Sequence, residues 1–144
     1  MLLNGQVRDL SKSESYRNNY NLLISIPGIG LMTAMSFLVQ IGEIRRFKTF
    51  DALCYYVGLV PRMYGSGEKM RTAGILKRGR KEIKVMLIEA SWDALRSDPA
   101  LMARFNELSK RMNKNKAIIR IARKLLSRMR FVLMNRQSYE LGVL

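Results

Sequence analysis

From Asn115 to Asn135 the chain reads "NKAIIRIARKLLSRMRFVLMN", a stretch without glycine or proline. Ile118, Ile121, Leu125, Met129 and Val132 recur at every third or fourth position, so a helix would gather them into one inward-facing apolar stripe. Arg120, Arg123, Lys124, Arg128 and Arg130 fall mostly outside that stripe and are predicted to face water. Such a helix is stable only when other elements cover its stripe, and the rest of the chain supplies more helices. In "SKSESYRNNYNLLISI", Tyr16, Tyr20, Leu23 and Ile24 stand at helical spacing, with Ser11 or Ser13 as the candidate N-cap; "MLLNGQVRDL" either extends that helix upstream or frays. Pro27 ends it, and "LMTAMSFLVQIG" resumes as a mostly apolar helix closing at Gly42.

Thr49 is placed to cap "TFDALCYYVGL", with Asp51 in its first turn. "RKEIKVMLIEASWDALRS" puts Ile83, Leu87, Ala90 and Ala94 on one face, and Asp98 is placed to cap "PALMARFNELSKRM" with Pro99 at the first helical position. A hydrophobic share of 48% is ample for a core, while an aromatic share of 8% beside many Met and Leu suits helix packing better than a β-sandwich. The expectation is one compact, mainly α domain. Trp92, among Ala and Leu, and Cys54, in "ALCYYVGL", both read as core. The single cysteine cannot form an internal disulfide, which fits a reducing cytoplasm. The longest apolar stretches are broken by Pro-Gly or are too short for a membrane span, and the N-terminus lacks a secretory signal pattern.

One region escapes this periodicity. Gly58, Gly65, Gly67, Gly74 and Gly79 punctuate a long loop with room for a short β-hairpin, and loops of that length inside a compact domain are often functional. It also opens the basic part of the chain. Residues 1–60 carry six basic and four acidic side chains, whereas residues 61–136 carry twenty basic and six acidic, within a total net charge of +15. A polyanion is the natural partner, because each Lys or Arg laid on a phosphate releases condensed counterions. The same charge would also keep a surface solvated. An anionic membrane is the weaker competitor, since the basic helices lack a Trp/Phe-rich apolar face.

Two stretches carry candidate chemistry. In "SIPGIGLMTAMSF" a Pro-Gly-x-Gly turn precedes a helix, as in the helix-hairpin-helix DNA-binding motif. Gly28 and Gly30 would let backbone approach a phosphate, with the next helix's first N–H groups facing the anion; equally, they suit a tight inter-helix turn. The second stretch is "RMYGSGEKMRTAGILKRGRKEIK", where Ser66 lies between two glycines among Arg62, Lys69, Arg71, Lys77, Arg78, Arg80, Lys81 and Lys84. The chain has no histidine, which excludes a Ser–His–Asp arrangement. The scattered carboxylates give no metal-ligand cluster. Cations around a sterically open hydroxyl suit attack on a phosphodiester, because they stabilise both an alkoxide-like oxygen and the charge growing on phosphorus. Gly-Ser-Gly is also ordinary turn chemistry.

The order of these pieces resembles the C-terminal transposase domain of the bacterial one-ten/eleven-eleven insertion-sequence family, the DEDD transposases known as bridge-RNA-guided serine recombinases. The resemblance covers about residues 20–135. It rests on Gly58-Leu59-Val60-Pro61, four residues, Ser66-Gly67, a basic loop, Gly74-Ile75-Leu76-Lys77-Arg78-Gly79 and a following basic helix. It implies that residues 21–137 form the transposase domain, with 1–20 as a connecting helix or arm and 138–144 as a tail. It implies that Ser66 is the nucleophile joined to DNA, with neighbouring Lys and Arg on DNA phosphates or RNA. The family's other half, an N-terminal RuvC-like domain binding divalent metal through four acidic residues, has no counterpart here; no cofactor is expected in this chain itself. The implied setting is cytoplasmic and nucleoid-associated, with DNA, a guide RNA, a RuvC-like domain and further copies as partners. A truncated copy, separately encoded fragment or inactive remnant, or a non-catalytic helix-hairpin-helix module, is the alternative.

Overall fold

A computed structural model describes residues 4–59 and 81–140. Seven α-helices appear in that range: α1 (Asn4–Ser11), α2 (Arg17–Ile24), α3 (Leu31–Ile41), α4 (Phe50–Val57), α5 (Lys81–Ser97), α6 (Pro99–Ser109) and α7 (Lys114–Asn135), with a 3-10 turn at Ile44–Arg46. No strand occurs among the described residues, and the domain is mainly α, as its periodicity predicts. The hairpin allowed for in residues 58–79 falls almost wholly outside the described residues.

The caps follow local chemistry. Thr49 Oγ1 accepts from the Ala52 N–H at 3.1 Å, and Gly58 closes α4 in the left-handed region at φ 83°. Asp98 Oδ1 accepts from the N–H groups of Ala100 and Leu101, so α6 starts with Pro99 at its first position. At the other end of the chain the cap expected from serine is absent. Ser11 ends a separate helix, Ser13 Oγ donates back to the Leu10 carbonyl, and α2 begins after Tyr16 without a side-chain cap. A serine hydroxyl bonded to a preceding carbonyl closes one helix instead of opening the next.

The long helix α7 is the axis of the core. It packs against α2, α4, α5 and α6. Its buried set therefore exceeds a single stripe: Ala122, Leu126 and Leu133 join Ile118, Ile121, Leu125, Met129 and Val132. The predicted face of α5 is confirmed, with Ile83, Leu87, Ala90 and Ala94 all buried. Each fully buried Leu or Ile stabilises the fold by roughly 1.5–3 kcal/mol relative to exposure.

Two expectations need correction. Arg128 does not face water: it is 1% exposed, and its Nη1 donates to Asp98 Oδ2 at 2.8 Å, while its guanidinium lies 4.6 Å from the Tyr139 ring centre. It follows Leu125 by three residues and precedes Val132 by four, so it sits within the apolar stripe and is held there by a buried carboxylate. Trp92 is not core: it is 37% exposed and meets Phe105 edge-on at 5.4 Å. It lies two residues beyond Ala90, off the buried stripe of α5.

Candidate nucleic-acid interface

The frame fixes where the chain leaves for the basic stretch and where it returns. After Gly58, Leu59 is fully buried, and its N–H donates to the Cys54 carbonyl at 2.9 Å. Arg123 Nη1 of α7 donates to the Leu59 carbonyl at 2.8 Å, and its guanidinium stands 5.7 Å from the Phe50 ring centre. A charge-assisted bond across 64 positions thus ties the end of α4 to the central helix. The chain returns at Lys81, and Ile83 anchors α5 in the core. Ser66, Arg62, Lys69, Arg71, Lys77, Arg78 and Arg80 lie outside the described residues, as does the side chain of Lys81. Lys84 stands half-buried on α5.

The Pro-Gly-x-Gly turn is fully described. Gly28 has φ +94°, and a Cβ there would lie 2.7 Å from the Ala94 Cβ and 2.8 Å from the Ala90 carbonyl oxygen. Glycine at 28 is thus required twice, by its backbone angle and by the close seat of the turn on α5. The close approach permitted at this position is to a neighbouring helix. Gly30 differs. It is exposed and extended, a Cβ there meets nothing within 4 Å, and it precedes α3 without a side-chain cap. Of the two glycines, Gly30 is the one that leaves an open helix start.

Cys54 completes the set of possible nucleophiles to weigh. It is 1% exposed. Burial pushes its thiol up to about 11, with Arg123 pulling downward and Asp51 adding a smaller upward effect. At neutral pH the sulfur is protonated and shielded, so it is a core group. Among the described residues, no cluster of three or more His, Cys, Asp or Glu could hold a metal ion. No described helix is long and apolar enough to cross a membrane.

The comparison with known proteins bears on the undescribed stretch as well. The model of the Transposase IS116/IS110/IS902 family matches residues 20–107, more than half of the chain. The chain belongs to that family. The match runs from α2 into α6 and includes the whole glycine-punctuated basic stretch, so the resemblance read from Gly58-Leu59-Val60-Pro61 and Ser66-Gly67 is borne out at the level of the family. Over 72 residues the chain is 40% identical to the transposase for insertion sequence element IS1111A of Coxiella burnetii, covering 50% of this chain and 20% of that protein. It is 28% identical over 120 residues to the insertion element IS110 uncharacterized 43.6 kDa protein of Streptomyces coelicolor, covering 83% and 30%. It is 35% identical over 114 residues to the pilin gene-inverting protein of Moraxella bovis, covering 74% and 34%. The chain thus spans between a fifth and about a third of the length of these relatives. No solved structure matches it.

The sequence singles out Arg120, Arg123 and Lys124 as outward-facing cations of the last helix, but gives no sign of Arg104 beside them. Arg104 of α6 and Arg120 and Lys124 of α7 line one groove with Arg123. Their i, i+4 spacing on α7 was visible in the sequence; the packing of α6 beside them was not.

Proposed function

We propose that this chain is the DNA-handling C-terminal domain of an insertion-sequence transposase, and that Ser66 supplies the nucleophile for strand cleavage and rejoining. The observation that carries the reading is the family match through residues 58–79, with Gly-Leu-x-Pro, Ser-Gly and the basic run in order. The charge distribution supports it, since residues 61–136 hold twenty of the twenty-six basic side chains. One relative is named for inverting a pilin gene, an outcome that needs strands cut and rejoined.

In the proposed step Ser66 loses its proton to water and its Oγ attacks a backbone phosphorus. An Oγ–P bond forms as the bond to one strand end breaks, and that leaving oxygen takes up a proton to become a hydroxyl. Rejoining is the reverse: a strand-end hydroxyl displaces Oγ, so the number of phosphodiester bonds is conserved without an external energy source. Arg71, Lys77, Arg78 and Arg80 grip the scissile backbone and stabilise charge on the phosphoryl oxygens. Arg62, Lys69, Lys81 and Lys84 extend that grip, and the open start of α3 after Gly30 adds backbone contacts. A RuvC-like domain supplies a divalent metal that favours the ionised hydroxyl. DNA, a guide RNA, the RuvC-like domain and further copies of the full protein are the proposed partners, in a nucleoid setting.

The test joins this chain to a RuvC-like half of the family and looks for protein–DNA adducts on denaturing gels. Ser66→Ala should bind insertion-sequence-end DNA as before yet form no adduct. Adducts that survive the substitution overturn the assignment. If the unsubstituted protein binds but never forms one, the chain is a non-catalytic DNA-binding module or an inactive remnant.

A further inference from the structure

Where α6, α7 and the start of α4 meet, the surface opens into a groove of about 450 Å³. Phe50, Leu101 and Ile121 give it an apolar floor, Arg104, Arg120 and Lys124 form a basic rim, and no carboxylate among the described residues lines it. Arg128 at its base is matched by Asp98 at 2.8 Å, and Arg123 is held on the Leu59 carbonyl but keeps its charge. The rim cations are exposed. Arg104 has Glu107 at 3.5 Å as its partner, an exposed pair that water and salt screen. Arg120 and Lys124 have no ion-pair partner among the described residues. They stand at i, i+4 on one helix face, where like charges repel each other. Rim cations crowded round a concave apolar floor, offset among the described residues by the exposed Glu107 beside Arg104 alone, are complementary to a chain of anions with apolar units between them.

We propose that this groove holds the backbone phosphates of DNA, an inference that rests on the DNA-handling reading above. Guanidinium forks match phosphate oxygens in two-point geometry. The sugar faces between phosphates rest on the half-buried Phe50, which Leu101 and Ile121 back from beneath. The contact positions a strand without reading its sequence.

The test uses the 144-residue chain and two fluorescein-labelled probes of matched length, a duplex DNA and a single-stranded RNA, titrated over a range of salt. Each phosphate contact contributes about 0.9 to the slope of log affinity against log salt for duplex DNA, and about 0.7 for a single strand. The triple variant R104Q/R120Q/K124Q should therefore lose roughly 2–3 from that slope on the duplex. A control triple of equal charge loss, R8Q/K12Q/R17Q at exposed positions from α1 to the start of α2, should lose less than about one. A larger loss on the RNA probe than on the duplex would overturn the assignment to DNA. Equal losses from both triples, or none on either probe, overturn the proposal. R104K/R120K should keep the slope; a Lys variant as weak as the Gln variant would trace the effect to packing and would also overturn it. The readout is non-covalent, so it stands or fails independently of any adduct at Ser66.

Discussion

Replacing Asp98 by Asn should destabilise the domain far more than the change of one atom suggests. An asparagine still accepts from the Ala100 and Leu101 N–H groups, now 3.0 and 3.3 Å from Oδ1, and Asn caps helices about as well as Asp. What disappears is the charge opposite Arg128, whose guanidinium is 1% exposed. Removing one member of a buried ion pair costs about 3–5 kcal/mol, because the other charge stays behind without its counter-ion. The Tyr139 ring beneath the guanidinium offsets part of this by cation–π attraction of about 0.5–2 kcal/mol. Asp98→Asn should therefore cost about 3 kcal/mol, or roughly 6–12 °C in melting temperature for a chain of this size. Arg128→Met leaves a carboxylate still bonded to two backbone N–H groups, and should cost about 2–3 kcal/mol. The double variant keeps a neutral cap and fills the site with an apolar chain, so it should lie within about 1 kcal/mol of the parent. Urea unfolding, followed by helical circular dichroism and by the fluorescence of the single tryptophan, Trp92 against Phe105 of α6, reads all four proteins. Single variants that each cost under about 1 kcal/mol and simply add would refute the view that the two groups form one buried unit.

Gly28→Ala should destabilise by roughly 2 kcal/mol or more, since it combines a disfavoured positive φ with a collision against α5, whereas Gly30→Ala should change stability by less than about 0.5 kcal/mol; thermal melts separate the two. Above pH 9 the Cys54 thiol ionises in the unfolded chain but stays protonated in the fold up to about 11. The unfolded state then binds fewer protons, so stability falls as pH rises, by at most about 2–3 kcal/mol across that window. The slope should be shallower in Cys54→Ala, as measured by urea midpoints at successive pH values.

Much of the frame was legible because its signals are local. Thr49 and Asp98 each meet N–H groups two or three residues away, and the buried face of α5 follows directly from the spacing of Ile83, Leu87, Ala90 and Ala94. Arg128 was misread because charge was given more weight than position. Its spacing from Leu125 and Val132 already placed it on the stripe, but the carboxylate that allows its burial lies 30 positions away. Ser13 failed as a cap because a hydroxyl can bond backward as readily as forward, and sequence alone does not choose. The width of the buried face on α7 depends on four helices surrounding it, which no single segment records. For the candidate site the balance is different. Ser66 and its cations were singled out by composition and by family order, since a glycine-punctuated stretch has no periodicity to read. The rim of Arg104, Arg120 and Lys124 emerges only when α6 is laid beside α7.

The seclusion of the single native thiol, Cys54, makes the molecule easy to wire for proximity chemistry. A cysteine installed at position 66 would join a chain whose own thiol is buried, so disulfide exchange with an oligonucleotide carrying a tethered thiol could be assigned to that position. Moving the tether along each strand would chart which nucleotides come near that position, with no need for turnover.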